Sequence, residues 1–99
     1  MENFILIAYT NSLPGFEEEV KNATIALAAE TRKEAGCELF LIHTRNDSPQ
    51  TIVFYEIYHS AEAFEQHKMF PYAQKYFQFQ KGRIENDKAE VVFLTALDR

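Results

Sequence analysis

Apolar residues recur along the chain with two different periods, and the switches between them divide it into six segments. Phe4, Ile5, Leu6, Ile7, Ala8 and Tyr9 form a continuous run within a strand predicted over Asn3–Thr10, closed by Asn11, Ser12, Pro14 and Gly15. Residues 15–34 carry Phe16, Val20, Ala23, Leu27 and Thr31 at spacings of three and four, which places them on one face of a long helix. Glu17, Glu18 and Glu19 open that helix and Arg32 and Lys33 close it, in keeping with the helix dipole. Gly36 is then expected to stop it in a left-handed conformation. A second strand is predicted over Cys37–Arg45 and a third over Thr51–His59. The turn residues Asn46, Asp47, Ser48, Pro49 and Gln50 join them into a hairpin. Ser60 caps a second helix to about Met69, with Ala63, Phe64 and His67 on one face. Pro71 breaks or restarts that helix, and Phe70, Ala73, Tyr76 and Phe77 form a further apolar stripe. Lys81–Asp87 is polar, and Lys88–Leu97 reads as a fourth strand.

The order is β-α-β-β-α-β, the split βαβ arrangement of ferredoxin-like α+β folds, with two helices on one face of a four-stranded antiparallel sheet. The first and last strands are apolar at nearly every position, so both faces of the sheet call for burial. Sheet-to-sheet packing in a homodimer is the economical solution, since a lone monomer would expose an unusually large apolar patch.

Composition narrows the reading. The 99 residues make one domain, residues 1–99, with 46% hydrophobic and 25% charged residues, as in a folded globular chain. Ten Lys+Arg against 15 Asp+Glu give a net charge of −5, which argues against nucleic acid or an anionic membrane surface as partner. The single cysteine, Cys37, cannot form an intramolecular disulfide and is expected as a buried small hydrophobe. Glu2 stands where a signal peptide would carry positive charge, and the apolar run is too short to span a bilayer; a cytoplasmic location is therefore expected. The sequons at Asn22 and Asn46 are then idle.

The candidate chemistry lies in the second half. His67 shares the inward stripe of Ala63 and Phe64; it is either a general base near neutral pH or a buried histidine satisfied by a carbonyl or carboxylate. Alternation along the third strand puts Phe54, Glu56 and Tyr58 on one face. A carboxylate in so apolar a strand needs a partner: His67, a Lys or Arg, or a group across the dimer interface. Tyr55, Tyr58, Tyr72, Tyr76, Phe70, Phe77 and Phe79 either line a pocket for a flat ligand or fill the core. His43, His59 and His67 lack metal-ligand spacing, and no nucleotide or flavin fingerprint is present, so neither metal nor cofactor is expected.

Glu34-Ala-Gly-Cys37, Phe54-Tyr-Glu-Ile-Tyr58, Ala63-Phe-Glu-Gln-His67 and the following Pro71 together resemble the motif string of the antibiotic biosynthesis monooxygenase domain family. The resemblance spans nearly the whole chain and implies a dimeric α+β barrel. It implies a cofactor-independent monooxygenase that oxidises an aromatic, phenolic or quinol-like small molecule with molecular oxygen. By this resemblance His67 is the acid/base and Tyr58 and Tyr72 orient the substrate. Glu56 pairs with His67 or a partner charge, and Phe54, Phe64 and Phe70 supply apolar wall. Two positions depart from the family pattern: Tyr58 stands where Trp is frequent, and Tyr72 where His is frequent. The absence of Trp speaks against the haem-degrading relatives. A branch with E-x-Y, here Glu56-Ile-Tyr58, followed by His67-Lys68, isomerises a phosphorylated quorum-signal sugar derivative and would draw on Lys68 or Lys75. A non-catalytic small-molecule binder is the remaining alternative.

Overall fold

A computed structural model describes residues 3–98. Glu2, on which the argument against a leader rests, lies outside them. The order is β1 (Phe4–Asn11), α1 (Glu17–Thr31), β2 (Cys37–Arg45), β3 (Ser48–Tyr58), α2 (Ala61–Met69), α3 (Pro71–Gln80) and β4 (Glu90–Leu94), with a short 3₁₀ turn at Glu85–Asp87 before β4. The four strands form one antiparallel sheet in the order β2-β3-β1-β4, the α+β arrangement expected from the pattern. The helices cover one face.

Register fixes what each face carries. Across the helix-covered face, Phe40, Glu56, Leu6 and Phe93 lie in one row and Ile42, Phe54, Ala8 and Val91 in the next. The opposite face carries Leu39, Ile57, Ile5 and Leu94, then Leu41, Tyr55, Ile7 and Val92. On β1, β2 and β3 burial separates the two, with Leu6, Ala8, Phe40 and Phe54 at 4% exposure or less and Ile5, Ile7, Tyr55 and Ile57 only half-buried, whereas β4 is exposed on both faces.

Several boundaries differ from the sequence expectation. Helix α1 ends at Thr31, so Arg32 follows it rather than closing its last turn. Its buried face includes Thr24 and Thr31, whose hydroxyls bond back to the Val20 and Leu27 carbonyls at 2.8 Å and so enter the core satisfied. Gly36 does not adopt a positive φ; a Cβ there would lie 2.7 Å from Ala63 Cβ, so the glycine is needed for close approach to α2. The hairpin is tighter than expected, because β3 begins at Ser48, paired with Arg45. Strand β4 is confined to Glu90–Leu94, where it pairs with Ile5–Tyr9 of β1, so both ends of the expected Lys88–Leu97 strand lie outside the ladder. Pro71 restarts rather than merely bends the helix. Phe70 before it is extended (φ −61°, ψ 141°), as the pre-proline position prefers, and Pro71 opens α3.

Candidate functional site

Between the inner face of the sheet and the helices lies an apolar cavity of about 310 Å³. Leu6 and Ala8 of β1, Phe40 of β2 and Phe54 and Glu56 of β3 form its sheet side. Phe64 and His67 of α2, with Tyr76 and Phe77 of α3, form its helix side. Strand alternation puts Phe54 and Glu56 here, and helical spacing puts Phe64 and His67 opposite them.

His67 is 4% exposed and stands among the rings of Phe40, Tyr58, Phe64 and Tyr72, with centroids 5.4–6.5 Å away. Its Nδ1 lies 2.8 Å from Glu34 Oε2, and both side chains are under 10% exposed. A carboxylate only accepts, so Nδ1 carries a proton and donates it to Glu34. Tyr72 donates its hydroxyl proton to the same Glu34 oxygen and lies 3.2 Å from Thr31 Oγ1. Glu34 is thus held from α3 and in turn holds the imidazole of α2.

Glu56 is the second ionisable group on the wall. It does not pair with His67: its Oε1 accepts the Tyr58 hydroxyl proton at 2.8 Å. Burial among Phe40, Phe54 and Leu6 lifts the Glu56 carboxyl from 4.5 to about 7, with Glu34 adding to the rise and the Tyr58 bond opposing it. Tyr58 is fully buried, and burial with the neighbouring carboxylates keeps it protonated far above its usual range. The cavity therefore presents an imidazole held by the Glu34 carboxyl group, and a second carboxyl, that of Glu56, poised to exchange a proton near neutrality.

Four residues expected at the site, His67, Glu56, Phe54 and Phe64, do line this cavity. Tyr58 does not line the cavity but stands behind its wall, bonded to Glu56 and packed on Phe64 and His67. Tyr72 supports Glu34 instead of facing the cavity. Phe70 packs on Tyr72 at 6.0 Å and borders a separate surface hollow beside Met69. Lys75 lies in a third hollow, between α1 and α3, while Lys68 is at the cavity. Cys37 is half-buried, and burial, with Glu34 and Glu56 nearby, pushes its thiol up to about 11, so it is a weak nucleophile. The described residues contain no group of three His, Cys, Asp or Glu placed to hold a metal ion. None of their helices is long and apolar enough to cross a membrane.

Glu34 is the member of this cluster to which the sequence reading gave no role. It stands 33 positions from His67, and only its place in the Glu34-Ala-Gly-Cys37 motif marked it.

The family model of antibiotic biosynthesis monooxygenases matches residues 3–78. Among solved structures, the chain is similar to PA3566 from Pseudomonas aeruginosa, with a TM-score of 0.92 at 22% identity over 99% of this chain and 97% of that one. It is also similar to Rv0793 from Mycobacterium tuberculosis, with a TM-score of 0.90 at 22% identity over 99% and 98%. A structure named antibiotic biosynthesis monooxygenase follows at a TM-score of 0.89 and 19% identity over 96% and 99%. At such identities the likeness speaks for the fold. A comparison with curated proteins finds no match.

Proposed function

The chain belongs to the antibiotic biosynthesis monooxygenase family, and on that premise we propose that it is a cofactor-independent monooxygenase acting on an electron-rich phenolic or quinol-like aromatic compound. The observation that carries this reading is the His67–Glu34 pair at the wall of an apolar cavity of flat-ligand size. A similar structure is named an antibiotic biosynthesis monooxygenase, which fits the same reading.

The chemistry needs little from the protein. For an anthrone-type substrate the overall reaction is R₂CH₂ + O₂ → R₂C=O + H₂O, and the substrate supplies all four electrons. His67 Nε2 removes a proton from the phenolic or benzylic position, while Glu34 stabilises the imidazolium that forms. The resulting anion reduces oxygen, and the two combine into a carbon-bound peroxide. The imidazolium protonates that peroxide, the His67 imidazole so restored removes the second proton from the carbon, and the O–O bond breaks, leaving the carbonyl and releasing hydroxide. The imidazolium returns its proton, and water departs. Glu56, held by Tyr58, donates a hydrogen bond to the developing oxyanion. The apolar walls keep water from the anion, which raises the strength of each of these interactions.

The working form in this reading is a homodimer joined through the outer sheet face, in the cytoplasm, where the Cys37 thiol stays reduced. The test is oxygen uptake with a panel of hydroxynaphthalenes, anthrones and quinols, with His67→Ala as the paired protein. Enzyme-dependent uptake that falls 10²-fold or more in the variant, with one labelled oxygen atom in the product, is expected. Uptake no faster than the spontaneous rate across the panel, or undiminished in the variant, would overturn the proposal.

A further inference from the structure

The cavity is uneven in charge from end to end. Its depth is apolar around Glu56 and His67, whereas its exposed end carries Lys68, Lys81 and Lys88 against one carboxylate, Asp87. That excess of ammonium groups reverses the balance of the whole chain, 10 Lys+Arg to 15 Asp+Glu. Neither Lys81 nor Lys88 forms an ion pair among the described residues, where the paired lysines are Lys21, Lys33 and Lys68. Lys68 meets the exposed Glu65 at 3.1 Å, and its Nζ lies 4.7 Å from the centre of the Phe64 ring. Phe64 itself walls the cavity, so this contact keeps the Lys68 ammonium at the rim.

The other two lysines are held by a built loop. Asp87 Oδ1 accepts the Gly82 N–H at 2.8 Å, tying the turn that follows Lys81 to the residue before Lys88. Asn86 and Asp87 both take positive φ, at 62° and 63°, which folds the chain back between them. Ile84, 1% exposed, anchors the loop in the core. Asp87 is thus engaged within the loop, while Lys81 and Lys88 face the opening without a partner.

We propose that the ligand of this cavity is an aromatic compound that carries an oxyanion, a carboxylate or a phosphate, with the anion seated among Lys68, Lys81 and Lys88 and the ring system reaching toward Glu56 and His67. This rests on the reading of the cavity as an aromatic pocket. The charge at the opening selects and orients the molecule, so that its electron-rich end is the end that enters.

Calorimetric titration in the absence of oxygen with three probes tests this: 1-naphthol, 1-hydroxy-2-naphthoate and 1-naphthyl phosphate. At least one anion is expected to bind about tenfold more tightly than naphthol, with the margin shrinking as salt is raised. Both lysines are exposed, so Lys81→Gln/Lys88→Gln should fold normally, bind naphthol as before and lose most of that margin. Lys75→Gln, a lysine away from the cavity, should keep it. Equal binding of all three probes, a margin that survives the double variant, or an equal loss in Lys75→Gln would overturn the anion site while leaving the aromatic pocket standing. Binding of none of the probes would overturn the pocket reading, and the anion site with it.

Discussion

Three side chains from three parts of the chain form one hydrogen-bonded chain, Tyr72 to Glu34 to His67, and in the proposed reaction His67 is the proton acceptor. Glu34 is a positioning residue, so Glu34→Gln should lower kcat by about 10²-fold with KM little changed, because it touches the imidazole and not the substrate. A matching rise in KM would instead place Glu34 in the binding surface. Glu56 makes a prediction about stability. Its carboxyl titrates at about 7 in the folded protein against 4.5 when free, so between these values the folded state binds more protons than the unfolded one. Stability contributed by the neutral form is therefore fully present below pH 4.5 and is lost as pH rises through 7. The change is worth about 3 kcal/mol. Urea unfolding of Glu56→Gln should show that slope removed, with the variant more stable than the parent at pH 8; an unchanged slope would mean that Glu56 is not the group responsible. The positions of His67, Glu56, Phe54 and Phe64 were legible because each follows from a short-range period. Glu34, Lys81 and Lys88 were not, because they come from beyond a helix end and from an irregular loop, where no period constrains them.

At the scale of elements, the six predicted segments recur in order, and the differences arise where a tertiary contact overrides a local signal. Thr24 was invisible to an apolar pattern, yet it is buried, because its hydroxyl bonds to the Val20 carbonyl and to the Tyr76 hydroxyl at 2.7 Å. Strand β4 looked longer in sequence because apolar residues continue to Leu97, but its ladder with β1 ends at Leu94. Gly36 is the sharpest case. A glycine after a helix suggests a left-handed stop, whereas its task here is to let the β2 entry lie against Ala63. Gly36→Ala should therefore destabilise the fold by about 1–3 kcal/mol through overpacking. Ala63→Gly alone should cost about 1 kcal/mol of helix propensity. Chemical denaturation of the double variant should reveal a coupling of about 1 kcal/mol or more, since the second change removes the atom the first one strikes. Strict additivity would show that the close approach is relieved by movement elsewhere.

The sheet presents two faces with different surroundings. The cavity lies on the helix side of the sheet, while the opposite side presents Ile5, Ile7, Tyr55, Ile57, Leu41 and Val92 to the outside, in register across four strands. That face is expected to close against a second copy, burying about 800 Å² per partner if the interface is of ordinary size. Ile7 sits near its centre, between Tyr55 and Val92. In a dimer, Ile7→Glu buries an unpaired charge at the interface; in a monomer, it places that charge in water. Light scattering after size exclusion should therefore give twice the chain mass for the parent and a single chain mass for Ile7→Glu. Because side chains alternate across the sheet, Ile7 points away from the cavity that Leu6 and Ala8 line, so the variant should still bind hydroxynaphthoate with the affinity of the parent. Loss of binding together with loss of the dimer would mean that the cavity is completed by the partner subunit. Retention of the dimer in the variant would mean that the copies meet elsewhere and that the outer face is covered in some other way.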